Sequence, residues 1–334
     1  MSLRYITEMA IAALKAMTGM EKFKVVLVIL LVSTLTVAGA YYILNPANPP
    51  APPATQTITR MGGRIIQRGS DTLLILAQRW AEEFMNRPDH EGVLISVSGG
   101  GSGTGIASLI NGETDLADSS REIKPKELEH ARSRGVNPCE WKVALDGIVI
   151  IINPENPLTE LTLSQLDMIY RGEALDWASV GGSGGKIITY GRQSNSGTYQ
   201  FFQEHVLKSR DYRNDVQAMN GNADIVEAVA RDANGIGYVG LGYAEKRSGD
   251  VKVVSVKKDD ASPPVTPSIA TIADGSYPIA RFLYIYTDGP PEGVTALYLK
   301  FIISDEGQRI VEEEGFIPLP DDARREQLSR LEGG

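Results

Sequence analysis

The sequence predicts an α/β protein of two lobes preceded by a membrane-spanning helix. Three observations carry that prediction. From about residue 57 onward, short apolar runs alternate with helical patterns, and glycine-rich turns join strand to helix. The chain has 334 residues, enough for two packed lobes of ordinary domain size. An uncharged, mostly apolar run at 25–44, VVLVILLVSTLTVAGAYYIL, has the length of one bilayer-spanning helix.

At the N-terminus, Lys15, Lys22 and Lys24, with Arg4 further back, precede the apolar run. Basic residues on that side place 1–24 in the cytoplasm and everything after about residue 45 outside. The stretch NPANPPAPPATQT that follows reads as a stiff, extended linker over 45–57. Ala38-Gly39-Ala40 offers a small-x-small cleavage site, so a signal peptide removed near Ala40, leaving a secreted or periplasmic protein, is the alternative to a retained anchor. On either reading the working part is exported.

The body opens with an amphipathic helix over 73–85, entered from Ser70-Asp71-Thr72. A strand at 93–97 runs into SGGGSGTG, after which a helix begins at 106–110. The run VALDGIVIII at 143–152 reads as a mostly buried strand ending at Asn153-Pro154. A helix at 163–170, a strand at 186–190 feeding Arg192, and helices at 199–207 and 225–230 follow. The strand at 235–239 carries two glycines that permit close backbone approach. Beyond a polar loop at 257–267, IARFLYIYT at 279–287 is a strong strand candidate, and helices at 294–303 and 305–313 complete the pattern.

Three serine-containing turns stand before helices: Gly69-Ser70-Asp71-Thr72, Gly101-Ser102-Gly103-Thr104 and Ser196-Gly197-Thr198, the last just after Arg192. Unpaired backbone N–H groups at a helix start favour an anion, and each turn adds hydroxyl donors. One such turn is an ordinary N-cap. Three with an arginine, whose guanidinium donates two parallel charged hydrogen bonds, point to an enclosed oxyanion site. Ser119-Ser120-Arg121 adds two hydroxyls and a guanidinium, with capping of the next helix as its competing role. Asp71 beside an anion is useful if the ligand carries a proton, because a carboxylate only accepts hydrogen bonds. Capping its own helix is the plainer reading.

Composition narrows the function. Net charge is −9 with no long Lys/Arg tract, which argues against nucleic-acid binding. Cys139 is the only cysteine, so there is no intrachain disulfide. His90, His130 and His205 lie far apart without metal-ligand spacing, and no serine sits in a hydrolase elbow. No enzyme activity, cofactor or metal is expected.

Taken in order, GSDTLLILAQRWAEEF, SGGGSGTGI, DLADSSREI, ALDGIVIIINPENPL, LTLSQLDMIYRGEALDWASVGG, GRQSNSGTYQFF, NGIGYVGLGYA, YPIARFLYIYT and SDEGQRIVEEEGFIPLP carry a resemblance over roughly 60–320. The chain resembles the periplasmic-type phosphate-binding proteins, the PstS-like substrate-binding components of phosphate ABC transporters. The resemblance implies a type II periplasmic-binding-protein fold, with lobe 1 at 58–146 and 249–334 and lobe 2 at 147–248. Phosphate would be clamped between the lobes and delivered to ABC permease subunits. Carried across, the family's phosphate contacts fall on Asp71, Thr72, Ser102, Arg192, Ser196, Gly197 and Thr198. Ser70, Gly103, Thr104, Ser119, Ser120 and Arg121 complete the expected site from the turns themselves.

Two positions depart from the best-known members, which have aspartate at the positions of Ser120 and Ser194. In those members the first accepts the ligand's proton and the second braces the arginine. Asp71, where they have threonine, is expected to supply the missing acceptor. The expected protein is thus a monomeric phosphate receptor held at the membrane through 25–44. Receptors for sulfate, molybdate or tungstate, an extracellular phosphoester hydrolase, and an adhesion or sensory module are the alternatives.

Overall fold

The computed structural model describes residues 62–332, which fall in the unit Thr59–Gly334. The order is β1 (Gly63–Gly69), α1 (Leu74–Met85), β2 (Val93–Ser98), α2 (Ser102–Ile110), β3 (Leu116–Ser119), α3 (Pro125–Ser133) and β4 (Pro138–Ile152). Then come β5 (Glu160–Thr162), α4 (Leu163–Arg171), β6 (Ile188–Arg192), α5 (Gly197–His205), β7 (Gln217–Met219), α6 (Asn222–Arg231) and β8 (Gly235–Gly240). The last part is α7 (Leu241–Glu245), β9 (Lys252–Lys257), α8 (Ile269–Ala273), β10 (Ala280–Asp288), α9 (Gly293–Ile303), α10 (Asp305–Glu313) and α11 (Asp321–Glu332).

One path of strands, β2-β1-β3-β10-β4-β8-β6-β7, links two halves. The long β4 is the bridge. Its first part pairs antiparallel with β10, and Ile148–Ile152 pair with β8. The two halves have separate cores. Trp80, Trp141, Val143, Leu283 and Tyr298 belong to one, and Ile148, Tyr170, Trp177, Phe202 and Tyr238 to the other. Burying each such side chain contributes about 1.5–3 kcal/mol, so each lobe is held by its own apolar interior.

β1 is parallel to β2 and β3, and β6 is parallel to β7 and β8. The turns that follow β1, β2, β3 and β6 therefore all leave the carboxyl ends of parallel strands, where ligands bind in open α/β sheets. That topology places the three serine turns and Arg192.

Two expectations change. The fold class is corrected to the two-lobed α/β body alone, because the expected membrane helix is not found among the described residues. Among the described residues no helix is long and apolar enough to cross a membrane, and the run 25–44, on which the span was expected, lies outside them. The cytoplasmic segment 1–24 and the linker 45–57 also lie outside them. The return to lobe 1 also falls later than residue 249. β9 pairs with Ile150–Ile152, and Val254, Val256, Ile272 and Tyr277 lie in the second core, so the chain crosses back in β10.

Candidate functional site

At the seam between the lobes, Asp71 and Thr72 leave β1, Ser102 starts α2, and Ser120 follows β3. From the other lobe come Arg192, at the end of β6, and Gly197 and Thr198, at the start of α5. The α2 start is turned by Gly101, at φ 90°, a conformation that favours glycine. Ser196 caps α5 by accepting from Thr198 N and Tyr199 N at 3.2 and 3.4 Å.

The two sides touch. Thr72 Oγ1 and Thr198 Oγ1 lie 2.9 Å apart. Asn195 accepts from Gly103 N at 3.0 Å and donates through Nδ2 to Gly100 O at 2.9 Å. A Cβ added at Gly197 would stand 2.2 Å from Ser102 Oγ and 2.6 Å from Ser120 Oγ. No side chain fits there, which is why a glycine serves.

Arg192 is a buried cation of this seam, 2% exposed. Its Nη2 donates to Asp71 Oδ2 at 2.5 Å and to Asn220 O at 2.8 Å. Its Nε and Nη1 are buried without a hydrogen-bond partner. Each unsatisfied buried donor costs about 1–3 kcal/mol, more when charged, so these two nitrogens ask for an acceptor. Asp71 Oδ1 accepts from Gly100 N at 2.8 Å, so both oxygens of Asp71 hold protein partners. Tyr243 donates its hydroxyl to Asp71 O at 2.8 Å, pinning the turn.

Ser102 Oγ accepts from Ser120 N at 3.1 Å and lies 3.3 Å from Ser120 Oγ. The Ser102 proton is therefore free for Ser120 or for a ligand. Helices α2 and α5 both begin here, so their positive ends add to the field favouring an anion.

Not every expected residue joins this group. The Arg121 guanidinium turns to Glu127, Nη2 to Oε1 at 2.6 Å and Nη1 to Oε2 at 2.8 Å, and braces the start of α3. Ser119 donates to Arg121 O at 2.7 Å, and Ser70 accepts from Thr72 N at 3.2 Å, so both shape turns. Gly103 N is spent on Asn195, and Thr104 Oγ1 receives only a 3.4 Å contact from Asn195 Nδ2.

One charged residue was absent from the sequence reading. Arg281, in β10, stands opposite Asp146 of β4, and its Nη2 donates to Asp146 Oδ2 at 2.8 Å. The same Nη2 donates to Thr198 Oγ1 at 2.9 Å, and Nη1 donates to Ser120 O at 2.9 Å. Burial lowers the pKa of its guanidinium, as does the nearby Arg192 charge, while Asp146 opposes both. An arginine inside the apolar run IARFLYIYT was the available signal, since a buried charge requires partners.

The match to a PBP superfamily domain spans residues 49–306. The phosphate-binding protein PstS of Pseudomonas aeruginosa is 32% identical over 299 residues, covering 84% of this chain and 91% of that one. PstS of Staphylococcus epidermidis is 35% identical over 269 residues, covering 79% and 81%. Among solved structures, a putative phosphate ABC transporter substrate-binding protein with bound phosphate from Clostridium perfringens superposes with a TM-score of 0.68 at 27% identity. That match covers 77% of this chain and 100% of the other. An ABC-type phosphate transport receptor from Vibrio cholerae gives 0.62 at 26% identity, again over 77% and 100%.

Proposed function

The chain belongs to the PstS-like family of phosphate-binding, ABC-transporter substrate-binding proteins, and from that membership we propose that it is an extracytoplasmic receptor for inorganic phosphate. It closes its lobes around the anion and delivers it to an ABC permease. Location and partners are corrected with the fold class. Among the described residues no helix can cross a membrane, and the family favours a periplasmic or secreted binding protein in place of the expected membrane anchor.

A single observation carries the ligand class. Arg192 holds two buried, unpartnered guanidinium nitrogens where the hydroxyls of Thr72, Ser102, Ser120 and Thr198 converge from both lobes. Such a set donates and is positively charged, which suits a tetrahedral oxyanion. The relatives' names favour phosphate over sulfate, molybdate or tungstate. Binding and release require no bond to break. Closure shifts a lobe equilibrium toward the clamped state, as far as the ligand prefers it.

Calorimetric titration tests this reading. The protein, freed of co-purified anion by partial unfolding and refolding, is titrated with phosphate and then sulfate. Saturable phosphate binding at one site with little sulfate binding is expected. No phosphate binding by a folded sample overturns the reading.

A further inference from the structure

We propose that Arg281 is a second arginine of the anion site, a positioning residue that works through Thr198 and Thr72. The inference rests on the phosphate reading above and adds to it a residue that sets which way the hydroxyls point.

The argument is one of donors and acceptors. Guanidinium only donates, so Thr198 Oγ1 must accept from Arg281 Nη2 at 2.9 Å. That leaves the Thr198 proton to go elsewhere. Thr72 Oγ1 lies 2.9 Å away and also receives a long 3.5 Å contact from Arg281 Nη2. The pair is thus driven to relay outward, each hydroxyl accepting on the Arg281 side and donating away from it. Without Arg281, either threonine could present a lone pair to the ligand, which an anion would repel.

The position is built to hold that role. The Arg281 side chain is 2% exposed, and the Phe201 ring centroid lies 5.4 Å from its guanidinium carbon. Asp146 fixes it from the neighbouring strand through Nε and Nη2, at 3.2 and 2.8 Å. Its Nη1 also pins the Ser120 carbonyl, so one guanidinium orders the Ser120 turn of lobe 1 and the start of α5 in lobe 2. Contact with Thr198 is made at the seam, where the two lobes touch.

A double-mutant cycle tests the proposal, with phosphate affinity read by calorimetry. Arg281→Met is combined with Asp146→Asn, so that no carboxylate is left buried and unpaired, and the pair is placed in chains carrying Thr198 or Thr198→Val. With Thr198 present, the pair should weaken phosphate binding about ten- to a hundredfold. In the Thr198→Val background it should weaken binding by less than about threefold, because the hydroxyl it directs is gone. An equal factor in both backgrounds, or no loss in the Thr198 background, overturns the proposal. Arg281→Lys, which keeps a cation beside Asp146 but gives up the fork, is run through the same cycle as the second variant if the first pair does not fold. Failure of the parent chain to bind phosphate would instead bring down the receptor reading, and this inference with it.

Discussion

Asp71 and Arg192, 121 residues apart and on opposite lobes, meet in an ion pair of 2.5 Å across the seam of the molecule. The carboxylate expected to accept a ligand's proton is instead committed to Arg192 through one oxygen and to Gly100 N through the other. Asp71 thus braces Arg192 from lobe 1. Because the pair crosses the cleft, it favours the closed lobes whichever anion is inside. Asp71→Asn should therefore weaken phosphate and sulfate binding by the same factor, about tenfold, through a smaller closed fraction. Calorimetry with both anions decides it. A changed phosphate-to-sulfate ratio would return Asp71 to the role of proton acceptor.

Gly197 marks the tightest approach of the lobes. An alanine Cβ would meet Ser102 and Ser120 oxygens at 2.2 and 2.6 Å, yet Gly197 is also the first residue of α5, where alanine is the better helix former. Gly197→Ala should leave the unliganded protein as stable as before and lower phosphate affinity about a hundredfold or more. Small-angle scattering should show that phosphate no longer compacts the variant. Compaction equal to the parent's would mean that the seam yields more readily than the close approach implies.

Much of this site was legible because it is local. The serine turns, the helix starts and Arg192 are all written in short stretches, and the structure places them at the ends of parallel strands. What stayed hidden depends on residues distant in sequence. β1 reads poorly as a strand because Gln67 interrupts its apolar face. Gln67 is buried and donates to Asp118 Oδ1 at 2.8 Å, a partner no local pattern reveals. Arg121 looked available until Glu127 was seen to hold it, and Arg281 looked like an isolated charge until Asp146 appeared across the sheet. The later return crossing has the same origin, since only strand pairing shows that β9 belongs with the end of β4.

Asp118 gives a pH prediction. Burial pushes its carboxyl up to about 7 from 3.8, with the Gln67 hydrogen bond opposing. A folded-state value above the unfolded one stabilises the protein at pH below the unfolded value, and that contribution is lost as pH rises toward 7. The loss continues through 7 and the curve flattens about one unit above it. Asp118→Asn keeps an acceptor for Gln67 and removes the charge. It should match the parent near pH 4 and exceed it by about 2–4 kcal/mol at pH 8. Urea unfolding at the two pH values reads the gap directly. A gap that is constant with pH would show that Asp118 titrates normally in the fold.

Arg192 separates ligand binding from folding most sharply. Its Nε and Nη1 are buried donors without a hydrogen-bond partner, which a bound anion would satisfy. Arg192→Ala removes the cation but strands Asp71. Combining it with Asp71→Asn removes both charges and leaves the cores of the two lobes untouched. The double variant should unfold at nearly the parent's temperature without ligand. Phosphate at about a hundred times the parent's Kd should stabilise the parent by about 2.7 kcal/mol and the variant hardly at all. Thermal unfolding with and without phosphate measures both quantities in one experiment. A variant that phosphate still stabilises like the parent would place the anion's main cation elsewhere, with the buried guanidinium of Arg281 a candidate at the seam.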